Sequence, residues 1–136
     1  MFNHYELQEQ LLSTTFSVQC VPASRPRVTR NGKVYHDKPY NQFKAWLSAE
    51  LQRRYPYLVL APGTTKENLY RVNWSALNPS PNADRDNLDK AILDSLQEAG
   101  IISNDNLVRD GILQMVYKTG EDSLLHLEVY TLKQLH

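Results

Sequence analysis

The stretch SPNADRDNLDKAILDSL, residues 80–96, joins a turn rich in proline and asparagine to a segment with the spacing of an amphipathic helix. Leu88, Ile92 and Leu96 recur at intervals of four residues, which places them on one face of a helix. The same stretch holds four aspartates and one lysine. It therefore predicts a helix over residues 87–99 whose start lies in a crowded group of negative charges.

Outside this helix, the hydrophobic pattern predicts a small α+β domain with a mixed sheet and two main helices. A single domain is expected to span residues 1–136. The predicted order is β-α-β-α-β-β, with strands at 15–21, 68–77, 107–118 and 123–132 and helices at 37–55 and 87–99. The last two strands are separated by a four-residue turn and are expected to form a hairpin.

Three local signals support these boundaries. Residues 15–21 alternate between apolar and polar side chains, which favours a half-buried strand. Asp37 has the character of an N-cap, with Pro39 in the first turn that follows. Turns are expected at 31–32, before a possible short strand, and at 61–65. The expected core face of the first helix comprises Phe43, Trp46, Leu47 and Leu51.

Composition excludes several classes of protein. Hydrophobic residues make up 41% of the chain, which suits a globular domain and not a disordered one. No apolar run approaches the roughly 20 residues of a membrane-spanning helix. A single cysteine cannot form an internal disulfide, and the first residues lack the pattern of a secretion signal. A soluble, cytoplasmic protein without a membrane partner is expected.

Charge is sorted along the chain although the net charge is zero. Residues 21–54 contain eight Lys or Arg against two acids, a local charge of +6, so the remainder carries −6. Such asymmetry indicates a polyanionic partner for one surface and a cation site on another. The alternative is that both charge blocks are solvated faces without a ligand.

Asp84 and Asp86 lie where the second helix should begin. Capping and the helix dipole explain Asp86, but they leave Asp84 unexplained if it lies outside the helix. If residues 84–86 are extended, the two carboxylates leave the same face, with Cα atoms about 7 Å apart. They are then placed to share a divalent cation, so capping and metal binding both remain open.

Lys90 and Asp105 extend this acidic group. Lys90 lies one helical turn after Asp86, either as an ion-pair partner or as an ammonium that positions water or offsets phosphate charge. Asp94, a turn further on, either orients Lys90, the role favoured here, or lies in solvent. Asp105, in the loop after the helix, either returns toward the first carboxylates or forms an ordinary Asx turn. Oxygen ligands alone, without histidines at ligand spacing, favour Mg²⁺ or Mn²⁺ over zinc.

These residues resemble a known family. DRDNLDK at 84–90 and ILDSLQEAGIISNDNLV at 92–108 are similar to the RusA family of Holliday junction resolvases. The family pattern is D-x-D-N-x-x-K, then D-x-L and a short acidic loop that ends D-x-x-V. SRPRVTRNGKVYHDKPY at 24–40 resembles the basic stretch of its phage- and prophage-type members. The resemblance covers roughly residues 14–118.

The resemblance implies a homodimeric endodeoxyribonuclease that uses Mg²⁺ or Mn²⁺ to cut paired strands at four-way DNA junctions in recombination and repair. Carried over by position, Asp84, Asp86 and Asp105 would bind the metal and Lys90 would be the catalytic lysine. Many members have two acids in the final loop, whereas this chain has Asn104 at the first position. That departure puts in doubt only a supporting carboxylate.

The basic segment is the expected DNA-binding surface. Its residues are Arg25, Arg27, Arg30 and Lys33, with Lys38, Lys44, Arg53 and Arg54 as possible additions. Tyr35 and Tyr40 are placed either to stack on opened bases or to pack in the core. Two other functions remain open: a branched-DNA-binding module that does not cleave, and a flap or branch nuclease without strict junction preference.

Overall fold

The computed structural model describes residues 3–35, 37–61 and 68–135. Its strands are β1 (Tyr5–Phe16), β2 (Arg27–Val28), β3 (Val34–Tyr35), β4 (Leu69–Leu77), β5 (Val108–Asp110), β6 (Leu113–Val116) and β7 (Leu124–Gln134). Its helices are α1 (Lys38–Arg54) and α2 (Arg85–Glu98), with single 3₁₀ turns at Pro56–Leu58 and Asp105–Leu107. The predicted α+β class with two main helices is confirmed.

A mixed sheet forms one layer of the domain. Its strand order is β1-β7-β4-β5, and β6 pairs with β4 beyond β5. β7 runs antiparallel to both β1 and β4, whereas β5 and β6 run parallel to β4. A parallel neighbour requires a crossover connection, and α2 supplies it between β4 and β5. The start of α2 therefore lies near the end of β4.

The core lies between the helices and one face of the sheet. β4 alternates strictly along its length, with Tyr70, Val72, Trp74 and Ala76 buried. The side chains between them are half-buried and include both polar and apolar residues. The opposite face of the sheet is therefore more exposed to water than the core face. Both helices contribute to the same buried cluster; their residues are Tyr40, Phe43, Leu47, Leu51, Leu88, Ala91, Ile92 and Leu96.

The position of α1 confirms the prediction for residues 37–55. Asp37 occupies the N-cap position and a proline lies in the first turn, but the Asp37 side chain makes no capping hydrogen bond. That side chain is paired instead with Arg27, at 3.1 Å. Trp46 was placed wrongly on the core face, because it is 39% exposed; its ring makes an edge-to-face contact with Phe16, with centroids 6.1 Å apart.

The first strand was predicted too late in the chain. β1 ends at Phe16, where its pairing with β7 also ends. Beyond it the predicted alternation persists in burial, since Cys20 is buried and Ser17 and Gln19 are exposed, but residues 17–20 pair with no strand. The polar residues of β1 hid the strand because it lies at the sheet edge, where both side-chain faces tolerate water.

The hairpin predicted from the last two strands is wrong. β6 and β7 do not pair, because β4 lies between them and bonds to both. The segment predicted as one strand at 107–118 is also divided into β5 and β6. Asn78, at the end of β4, holds the connecting turn through bonds from its side-chain amide to the carbonyls of Lys118 and Glu121, at 2.8 and 2.9 Å.

The two predicted turns have different outcomes. The turn at 31–32 is confirmed: Gly32 has a φ of +78°, and β2 and β3 pair on either side of it. In the turn predicted at 61–65, residues 62–65 lie outside the described residues, as do His36 and His136. Within the described ranges, neither helix combines the length and apolar character needed to cross a membrane.

Gly111 joins β5 to β6 where the chain passes closest to β4. A Cβ atom at this position would lie 1.9 Å from the carbonyl oxygen of Val72, so an alanine forces the backbones apart. We expect Gly111→Ala to lower the free energy of unfolding by about 1–3 kcal/mol, the range typical of overpacking. Denaturant unfolding measures this effect.

The matched control is the neighbouring Ile112→Ala, because Ile112 is 74% exposed. Its effect should stay within about 0.5 kcal/mol. Equal stability of the Gly111→Ala variant and the wild type would contradict the close approach of the two strands.

Candidate active site

Asp84 is the N-cap of α2. Its Oδ1 atom accepts hydrogen bonds from the backbone N–H groups of Asp86, at 2.8 Å, and Asn87, at 3.2 Å. The interpretation that capping leaves Asp84 unexplained is therefore wrong, and α2 begins two residues earlier than predicted. Both bonds use Oδ1, so Oδ2 takes no part in these two capping hydrogen bonds.

Asp86 lies in the first turn of α2 and is exposed. Because residues 85 and 86 are helical, the extended geometry proposed for residues 84–86 is not formed. The two carboxylates instead flank the first turn, where the positive end of the helix dipole favours negative charge. The dipole and the capping hydrogen bonds thus offset part of the repulsion between these carboxylates.

Asp89, one turn after Arg85 on the same helix, is a third carboxylate near this turn. The indole Nε1–H of buried Trp74 donates to its Oδ1 at 2.8 Å. Burial is the main cause that raises the pKa of Asp89, the Trp74 bond opposes it, and the charge of Asp86 raises it further. The Asp86 and Asp89 carboxyl groups are therefore close enough for the charge of one to disfavour ionisation of the other.

Lys90 is tied to α1 through two contacts. Its Nζ lies 3.5 Å from Oδ2 of Asp94, and the hydroxyl of Tyr40 donates to the same oxygen at 2.5 Å. Asp94 thus pairs with Lys90, in agreement with the orienting role expected from the sequence. The Tyr40 donor was missed, because contact between α1 and α2 is not visible in either segment alone.

Asp105 lies at the other end of α2. Its backbone N–H donates to Oε1 of Gln97 at 3.3 Å, and the Asn104 side chain accepts from the N–H of Asn106 as in an Asx turn. Eleven residues of helix separate Asp86 from Gln97, a rise of about 16 Å along the axis. The backbone of this loop therefore forms an ordinary Asx turn, one of the two alternatives expected from the sequence.

The three carboxylates expected from the family pattern are not gathered into one cluster. Within residues 3–35, 37–61 and 68–135, no three His, Cys, Asp or Glu side chains are grouped so as to hold a metal ion. The structure brings Asp84 and Asp86 to the same helical turn and leaves Asp105 apart from them. The local donor set consists of oxygen atoms, the ligand type that suits Mg²⁺ or Mn²⁺.

The expected DNA-binding residues lie on or beside a small hairpin formed by β2 and β3. Arg25, Arg27, Arg30 and Lys33 are all exposed. The paired valines of the hairpin, Val28 and Val34, are 66% and 60% exposed, so the hairpin stands clear of the core. This surface, residues 25–35, combines exposed cations with exposed apolar side chains.

Two of the other cations considered for this surface, Arg53 and Arg54, have structural roles. The Arg54 guanidinium donates to the Thr14 hydroxyl at 2.8 Å and lies 4.2 Å from the Phe16 ring centre. Arg53 pairs with Glu50 at 2.8 Å. Of Tyr35 and Tyr40, the two tyrosines considered for base stacking, Tyr40 is buried and belongs to the core.

The exposed Tyr35 remains open to a ligand, at 43% exposure. It pairs with Arg27 across the hairpin, so an aromatic ring and a guanidinium occupy adjacent positions of two neighbouring strands. Side chains directly opposite in an antiparallel pair share a face. This face of the hairpin therefore offers a combination of groups suited to nucleic acid.

The raised pKa of Asp89 predicts a pH-dependent change in stability. A carboxyl whose folded-state pKa exceeds its unfolded value binds protons more tightly when folded, so it costs stability as the pH rises through that pKa. Asp89→Asn keeps an oxygen acceptor for Trp74 and removes the charge. We expect the variant to be more stable than wild type at pH 7 and the difference to vanish in acid.

Thermal unfolding of both proteins between pH 3 and pH 7 measures this difference. Asp122→Asn, at an exposed turn position, is the control and should show no such trend. A stability difference that is constant over the whole pH range would contradict the cost of ionising Asp89.

Comparison with known proteins agrees with the resemblance seen in the sequence. The family model described as endodeoxyribonuclease RusA matches residues 17–129. The match includes the hairpin surface, α1, α2 and the loop that carries Asp105. A comparison with curated proteins finds no match. Because the family model covers most of the chain, the chain belongs to the RusA family of endodeoxyribonucleases.

Proposed function

We propose that this protein is a divalent-metal-dependent endonuclease that resolves four-way DNA junctions. The observation that carries the proposal is the first turn of α2, where the Asp84 side chain caps the helix, Asp86 lies exposed in the same turn and Lys90 follows one turn later. Membership of the RusA family supports an activity on DNA branches. The exposed cations of residues 25–35 supply a surface for the phosphate backbone.

Mg²⁺, with Mn²⁺ as a substitute, fits the oxygen donors at this turn. Mg²⁺ in phosphoryl-transfer sites is commonly bound by one or two carboxylates and completes its shell with water and substrate phosphate. Asp84 and Asp86 would hold it here, whereas Asp105, the third acid of the family pattern, lies beside the last turn of α2 and is tested separately below. When bound, it would polarise the phosphodiester, activate water and stabilise the departing oxygen.

The other roles in the proposed mechanism, charge compensation and DNA binding, belong to side chains of the protein. The ammonium of Lys90, held by Asp94, offsets negative charge on the phosphate beside the carboxylates. The Tyr40 hydroxyl keeps Asp94 oriented toward Lys90, because burial and the Asp94 bond both raise the tyrosine pKa and keep it a donor. Arg25, Arg27, Arg30 and Lys33 bind the strand, since the acidic turn alone repels DNA.

A homodimer follows from the reaction proposed. Resolving a four-way junction requires two matched cuts, and a twofold dimer presents two equivalent sites to two strands of like polarity. We therefore propose a dimer at working concentration. Sedimentation of the protein as a strict monomer that still resolves junctions would contradict this part of the proposal.

Two alternative functions are each compatible with an observation of the structure. A non-cleaving DNA-binding module is favoured by the separation of Asp105 from Asp84 and Asp86, because no three-carboxylate group is formed in the described residues. A flap or branch nuclease without strict junction preference is compatible with the same first turn of α2. One experiment separates these functions: incubation of labelled four-way junction, flap and duplex DNA, with and without Mg²⁺.

We expect paired nicks in the four-way junction only, and only with Mg²⁺. Cleavage of flap and junction at equal rates would favour the broader nuclease. Binding of the junction without nicks in either Mg²⁺ or Mn²⁺ would favour the non-cleaving module and would sink the proposed function.

Substitutions of Asp84 separate its capping role from its role in cleavage. Asn caps helices about as well as Asp, whereas Ala costs about 0.5–2 kcal/mol of stability. We expect Asp84→Asn to keep its melting temperature and to lose on the order of 100-fold or more in nicking rate. Asp84→Ala should lose both stability and cleavage.

Asp105→Asn tests the third carboxylate. If Asp105 completes the metal site, the variant should bind junctions as well as wild type and lose nicking to a similar degree. Gel assays of binding and nicking measure both properties. Unimpaired nicking by Asp105→Asn would remove that residue from the site, and unimpaired nicking by Asp84→Asn would restrict Asp84 to capping.

The basic surface predicts a salt effect. Each phosphate contact in duplex DNA contributes about 0.9 to the slope of log affinity against log salt. We expect the double variant Arg25→Ala with Arg27→Ala to bind more weakly and to lower that slope by about 1.8. Lys118→Ala with Lys133→Ala removes the same charge elsewhere and is the control. A slope equal to that of wild type would exclude residues 25 and 27 from the interface.

A further inference from the structure

A cavity of about 510 Å³ lies between the segment that precedes the β2–β3 hairpin and the start of α1. Pro22 and Pro39 form apolar parts of its wall, and Tyr40 forms another. The polar groups around it include the Ser24 hydroxyl and the Asp37 carboxylate. Cavities of this size that are mostly apolar, with a few placed polar groups, are typical of sites for small organic groups.

Two hydrogen bonds fix this cavity next to the first turn of α2. The N–H of Ala23, in the cavity wall, donates to the carbonyl of Asn87 at 2.8 Å. The N–H of Ser80, also in the wall, donates to the carbonyl of Cys20 at 2.9 Å. The cavity therefore borders both α2 and the loop that leads to Asp84.

The Tyr40 wall adds a third connection. The hydroxyl of Tyr40 donates to Asp94, which pairs with Lys90. A group seated in the cavity would thus contact Tyr40, whose hydroxyl holds the Asp94 carboxylate that pairs with Lys90. No residue of the cavity wall is needed to hold the metal, so the cavity is separate from the carboxylate turn.

Charges at the cavity indicate the chemistry of its occupant. Arg27 and Lys38 both line it, and Arg27 belongs to the basic surface of residues 25–35. The Asp37 carboxylate is paired with Arg27 at 3.1 Å, and the Asp37 N–H donates to the Ser24 hydroxyl at 3.0 Å. Asp37 thus balances the charge of Arg27, and Lys38 adds a second cation that can meet a phosphate, while Ser24 and Asp37 form the polar edge of the cavity.

We propose that this cavity receives one unpaired base of the DNA strand that is cut at α2, with the adjoining phosphate beside Arg27 and Lys38. The inference rests on the proposed function, because it requires a DNA strand at the first turn of α2. A base at a branch point has lost part of its stacking, so moving it into a protein cavity costs less than it would in intact duplex. The cavity would then help to place the phosphodiester at the carboxylates.

The test uses the fluorescent base 2-aminopurine, whose emission rises when it leaves the stack. It is placed in turn at each nucleotide within two positions of the cleaved bonds of a four-way junction, and binding is measured at low salt without divalent ions. For wild type we expect a rise of severalfold at one position. Removing that base to leave an abasic site should weaken binding of the wild type.

Pro39→Ala removes one wall of the cavity at an exposed position in the first turn of α1. Pro56→Ala is the matched control, because Pro56 is also exposed and opens a helical turn away from the cavity. We expect Pro39→Ala to reduce the fluorescence rise at least twofold and to lose the penalty of the abasic site. Pro56→Ala should behave as wild type.

Lys38→Gln is the second variant, and it decides the question if Pro39→Ala fails to fold. It should also reduce the rise at least twofold. An unchanged rise in both folded variants, or no rise at any position in a wild type that binds the junction, would overturn the cavity proposal. Nicking of the same junction with Mg²⁺ keeps the two proposals distinct: cleavage without a fluorescence rise leaves the proposed function standing, whereas absence of cleavage overturns that function.

Discussion

The candidate site depends on two hydrogen bonds that the Asp84 side chain accepts from backbone N–H groups at the start of α2. It fixes the residue at which α2 begins, and so it sets the direction in which Asp86 and Lys90 leave the helix. One oxygen of the carboxylate makes both bonds, which leaves the other oriented by the cap. A single side chain therefore starts the helix and presents a charged oxygen at a point that already favours anions.

Three other segments hold the same helix in place, and each meets it through a polar contact beside the core. The loop before the hairpin bonds to the carbonyl of Asn87, β4 reaches Asp89 through Trp74, and α1 reaches Asp94 through Tyr40. These contacts occur along the first ten residues of α2, where the buried apolar face alone would leave the rotation of the helix less defined. The candidate site residues on α2 are thus supported by neighbours from across the chain.

The sequence predicted what depends on local pattern and missed what depends on pairing. Both helices were found because caps, periodicity and Gly100 mark them within a few residues. The insertion of β4 between β6 and β7 was missed, since strand order is decided by distant segments. Similarly, the pattern proposed Asp84 and Lys90 as candidate site residues, which stays a prediction, but no local rule could reveal that Tyr40 reaches Asp94 or that Asp105 lies by the last turn of α2.

The double role of Asp84 is tested most directly by comparing Mn²⁺ binding by the wild type and by Asp84→Asn. The electron paramagnetic resonance signal of the free ion measures how much Mn²⁺ remains unbound. If this carboxylate both caps the helix and binds the cation, the variant should unfold at the wild-type temperature and bind Mn²⁺ at least about tenfold more weakly. Equal Mn²⁺ affinity in the two proteins would show that Asp84 only starts the helix, and the metal-dependent mechanism proposed for this turn would then be wrong.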